Sequence, residues 1–145
     1  MKRYAVAVFS DDIRREDNGK LMYIGMYTDA MMVPRFPFHM IKLCVSVQLY
    51  TPAAEPISKA KLEIVFNDQQ SFAIDIDIDT ADLQPVISSA GEPMHCIRME
   101  FIAQNYLFNE PGYLKVNILA DGNLVPCVGL DVKEGTAPPL PTAAE

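Results

Sequence analysis

Two histidines, three cysteines and a row of alternating aspartates are the side chains in this 145-residue sequence with the means to do chemistry. An imidazole beside a thiol can generate a thiolate nucleophile, and His95-Cys96 is the adjacent pair of that kind. The segment around it reads as a strand, where neighbouring side chains point to opposite faces, so the ring and the thiol are held apart. His39 and Cys44 would have to converge on that pair from a distance, and packed histidines with inert thiols are the simpler reading. Asp75, Asp77 and Asp79 invite a calcium reading. Carboxylates at alternate strand positions lie about 7 Å apart, too far for one ion held at about 2.4 Å per oxygen. The turn glycine and distal glutamate of a calcium loop are also missing. The row reads instead as like charges that keep an exposed strand from pairing with another. With no phosphate loop, nucleophile elbow or metal-ligand spacing, the expectation is a protein that is not an enzyme and carries no cofactor and no metal.

The segments that position these residues read as strands almost throughout. Tyr4 to Phe9 and Leu21 to Tyr27 are rich in large apolar residues. They flank a charged loop, Asp11 to Lys20, whose Asn18-Gly19 suits the positive φ of a hairpin turn. Asp29 to Pro37 reads as an irregular apolar crossover, kept out of a sheet interior by Pro34 and Pro37. Phe38 to Tyr50 is the longest strand, with Ile41, Leu43, Val45, Val47 and Leu49 on one face and Lys42, Cys44, Ser46 and Gln48 on the other. Alternation recurs at Ala60 to Phe66 and at Phe72 to Asp79, where Phe72, Ile74, Ile76 and Ile78 face inward. A single helical turn capped by Asp79 or Thr80 is expected over Thr80 to Leu83. Gln84 to Pro93 reads as a loop or irregular edge, and Met94 to Leu107 as strand. Asp121-Gly122 closes a last hairpin between Leu114, Val116, Ile118, Ala120 and the run Leu124, Pro126, Val128, Leu130. Seven to nine short strands predict an all-β, antiparallel β-sandwich, immunoglobulin-like or C2-like, with a jelly roll as the alternative. The sandwich spans residues 1–133, and residues 134–145 form an extended Pro-rich tail.

The run Asp11-Asp12-Ile13-Arg14, then Glu16, Gly19-Lys20 and Ile24-Gly25-Met26-Tyr27, resembles the opening of a family of small uncharacterised bacterial and bacteriophage proteins. Glu110-Pro111-Gly112-Tyr113 with Asp121-Gly122 is similar to that family's closing hairpin. The resemblance implies a fold and an origin, and no activity.

Composition narrows the partners. A net charge of -7 without a Lys/Arg cluster beyond Arg14-Arg15 argues against nucleic acid, which is bound by neutralising phosphates. The apolar run after Lys2-Arg3 stops at Phe9, too short for a secretory signal, and nothing later has the length of a membrane span. Three widely spaced cysteines read as free thiols in a reducing bacterial cytoplasm, from which the protein could be built into a virion. The expectation is an interaction or assembly module that binds a protein partner, itself or another, and forms an oligomer. Its contacts are Asp11, Asp12, Arg14, Arg15 and Glu16 of the charged loop and Pro138, Pro139 and Leu140 of the tail. In one version it is a virion or assembly component whose tail reaches a neighbour. In another it is a soluble modulator of one host protein, steered by its acidic surface. A ligand-binding alternative uses Met31 to Phe38 as a pocket wall and requires an apolar cavity with a few convergent polar groups.

Overall fold

Period-two alternation buries one face of each strand, and two such faces closed on each other make a β-sandwich. The computed structural model has that architecture, and it describes residues 2–136. The strands are β1 (Tyr4–Arg15), β2 (Leu21–Tyr27), β3 (Ala30–Val33), β4 (Phe38–Pro52), β5 (Lys59–Phe66), β6 (Gln69–Asp77), β7 (Val86–Ile87), β8 (Pro93–Phe108), β9 (Gly112–Ala120), β10 (Asn123–Val125) and β11 (Leu130–Glu134). One sheet has the order β2-β1-β4-β8-β7 and the other β3-β11-β9-β5-β6, with β10 on β9. The pairings are antiparallel except β3 with β11, which is parallel.

Leu43, Val45, Val47 and Leu49 of β4 and Ile97, Met99 and Phe101 of β8 meet Leu62, Ile64, Leu114, Val116 and Ile118 from the facing sheet in one buried cluster. Turn chemistry fixes the register. Asn67-Asp68 and Asp121-Gly122 are two-residue loops with positive φ at both positions, the geometry that matches the twist of paired strands. Thr80–Asp82 is a 3-10 turn, and the Asp79 carboxylate accepts from the Ala81 N–H.

Five expectations are corrected. Asp11 to Arg15 is strand, not loop, because β1 keeps pairing with β2 as far as Arg15–Leu21 and leaves a tight turn over Glu16 to Lys20. The crossover contains a strand, β3, which pairs at the sheet edge before Pro34 ends it. Ile41 is 82% exposed while Met40 is buried. Opposite Ile41 in the β4–β8 register, Asn105 takes φ +56°, and the inward face changes phase there, from Phe101 to Tyr106 and Phe108. Leu124 and Val128 are exposed while Val125 is buried, since Pro126 stops the β9–β10 ladder and the chain re-enters the sheet at Leu130 in a new phase. At β6, Ile74 is 43% exposed, because an edge strand is covered less than the strands inside it. Residues 137–145, with Pro138, Pro139 and Leu140, lie outside the described residues.

Candidate functional site

β1 pairs with β4 only as far as Ser10–Cys44, then continues with β2 as a two-stranded arm. The arm lies against the outward face of β4. Cys44 Sγ donates to the Asp11 carbonyl at 3.9 Å, and the Tyr23 and Ser46 hydroxyls are hydrogen-bonded at 3.1 Å. Ser10, Cys44 and Ser46 are accordingly buried, although they lie on the side of β4 opposite the core. Burial pushes the Cys44 thiol above its ordinary range, which keeps it protonated.

The arm's charges are paired close to its root. Lys42 Nζ donates to Asp12 Oδ1 at 2.6 Å, and Arg14 Nε to Asp12 Oδ2 at 3.2 Å. Lys42 foremost, and Arg14 after it, hold the Asp12 carboxyl below its usual value, and the same contact raises Lys42. Tyr27 donates to Asp11 Oδ1, and its hydroxyl is pushed strongly upward by burial and by that carboxylate. Arg15 and Glu16 are exposed at the arm's tip. Of the sequence-selected contact residues, the structure brings Asp11 and Asp12 to the arm's root, places Arg14 beside them, and leaves Arg15 and Glu16 apart.

Where arm, crossover and β4 meet, a groove of about 400 Å³ opens, lined by Met31, Met32, Val33, Phe38, Met40 and Ile41 with Asp11, Tyr27, His39 and Lys42. Its size falls within the usual range for ligand sites. The crossover Met31 to Phe38 was legible in the sequence as an apolar wall. The polar set Asp11, Tyr27 and Lys42 was not, because it converges only through the course of the arm.

The two histidines and the aspartate row do not come together. His39 Nε2 lies 3.2 Å from the Asn105 carbonyl, near one end of the β4–β8 ladder. His95 is buried opposite Thr51 at the other end, with Nδ1 unpartnered among the described residues. Asp75 and Asp77 stand across from Lys61 and Lys59 on β5, where opposite charges stabilise a strand pair. Among the described residues there is no cluster of three potential metal ligands, and no helix is long and apolar enough to cross a membrane.

Residues 5–133 match the model of a family of unknown function (DUF6941), and the chain belongs to that family. No curated protein matches the sequence.

Proposed function

We propose that the protein is a non-catalytic assembly module of bacterial or phage origin that associates with further copies of itself through the open edge of β2. The observation that carries this reading is the contrast among the sheet edges. β7 is two residues long, β3 is four residues long and ends at Pro34, and β6 carries Asp75 and Asp77. Short length, proline and charge each discourage pairing with another chain. β2 has none of these protections. It is seven residues long, contains no charged residue, and pairs with β1 alone among the described residues. Met22, Ile24 and Met26 along it are 44%, 39% and 54% exposed.

The strand is also self-complementary. An antiparallel pairing centred on Ile24 sets Met22 opposite Met26 of the second copy and Ile24 opposite itself, as a two-fold interface requires. The non-catalytic part of the reading is supported by the protonated Cys44 thiol and the separation of both histidines from it. The origin rests on the resemblance of Asp11 to Tyr27 to bacterial and phage sequences.

Light scattering tests the reading. The mass should rise above the 16.1 kDa of one chain with increasing concentration. Ile24→Lys should return it to one chain without changing Tm. A single-chain mass for the wild type at every concentration would refute self-assembly and favour the soluble modulator. The groove supports a second reading, a site for a small apolar ligand, through its volume and its four polar or ionisable side chains.

A further inference from the structure

We propose that the groove lined by β3 and β4 is the docking site for the chain's own C-terminal segment, with Pro138, Pro139 and Leu140 against Tyr27, Met32, Phe38 and Ile41. This goes beyond the β2 reading and uses a different surface. β11 runs parallel to β3, its last residue Glu134 lies opposite Val33, and the Gly135 N–H donates to the Val33 carbonyl at 2.9 Å. Met32, which lines the groove, has its methyl carbon 3.1 Å from the position of a Cβ on Gly135. The parallel pairing therefore delivers the chain to the groove's wall at the point where the last strand ends.

The sequence beyond that point suits the surface it meets. Pro138-Pro139-Leu140-Pro141 has the proline spacing of an extended left-handed helix, which docks on aromatic-lined grooves at low entropic cost. Here the rings are Tyr27, Phe38 and His39, and the methionines supply adaptable apolar surface. In that conformation Leu140, five residues beyond Gly135, reaches about 15 Å, at about 3.1 Å per residue. Ile41, 82% exposed on the groove, is a large apolar side chain that such a segment would cover. A tether this short gives an effective concentration on the order of millimolar, which favours a chain's own segment over that of another copy.

The test is made on the full-length protein with ¹³C-labelled methionine methyls. Nuclear Overhauser contacts are expected between the Leu140 methyls and those of Met32 and Met40. Leu140→Asp should remove them and shift the Met31, Met32 and Met40 signals while Met94 and Met99 stay in place. A peptide of residues 136–145 added to that variant should restore the shifts, and Ile41→Asp should weaken its binding at least about tenfold. A Leu140→Asp spectrum identical to wild type at the groove methionines would overturn the proposal. So would groove shifts that appear only as the mass doubles, which would assign the groove to a second copy's segment. Met22 and Met26 report on β2 in the same spectra, so a failure there is read separately.

Discussion

Gly25 holds φ at +67°, and the Asp11 side chain occupies the space where a Cβ would stand. Any L-residue here meets both a disfavoured backbone region and a displaced carboxylate. Gly25→Ala should cost about 1–3 kcal/mol and release Tyr27 from Asp11, which thermal denaturation and the tyrosine hydroxyl titration would register. Two depressed carboxyls contribute to acid stability. Asp12 is lowered by Lys42 and Arg14, and Asp121 by the Lys59 N–H and then the Ser58 N–H and hydroxyl. A carboxyl depressed in the folded state contributes its full stabilisation above the ordinary value of 3.8 and loses it as pH falls through the folded value. Tm should be level near neutrality and fall below about pH 4, with a shallower fall in a variant carrying Asp12→Asn and Asp121→Asn. Lys42 is raised by Asp12, so its contribution is present below 10.5 and lost as pH rises through the higher folded value.

At the scale of elements, the arm covers one side of β4 and is tied to it by a few side-chain contacts. Tyr23 with Ser46, Cys44 with the Asp11 carbonyl and Lys42 with the Asp12 carboxylate are the hydrogen bonds between the arm and β4. Tyr23→Phe should cost about 1 kcal/mol and accelerate labelling of Cys44 by a thiol reagent, located by mass spectrometry, under conditions where the core remains folded. Equal labelling in the variant and wild type would mean that the arm opens independently of this bond. Alternation alone revealed β5, β9 and the centre of β4, where a single buried face leaves one permitted register. It did not reveal strand at Asp11 to Arg15, because charged residues disfavour strands locally and pairing with β2 outweighs that preference. The exposure of Ile41 was likewise hidden. It depends on Asn105, far along the chain, in a left-handed conformation that asparagine tolerates without requiring. The groove inherits this division: its wall is a local apolar run, while its polar lining is produced by tertiary contacts.

For the whole molecule, burial of the core faces leaves the edges as the places where backbone groups are free to recruit another chain. Three of the described sheet ends are shortened, interrupted by proline or charged, and β2 is not. The acidic total charge keeps copies apart at long range, so association through β2 should strengthen with added salt as that repulsion is screened. The most direct measurement is backbone amide hydrogen exchange across β2 at low and at high protein concentration. Strand pairing between copies predicts that protection of Leu21 to Tyr27 rises with concentration, while β5 and β9 in the core stay equally protected throughout. Exchange in β2 that is unchanged over the whole concentration range would contradict the account.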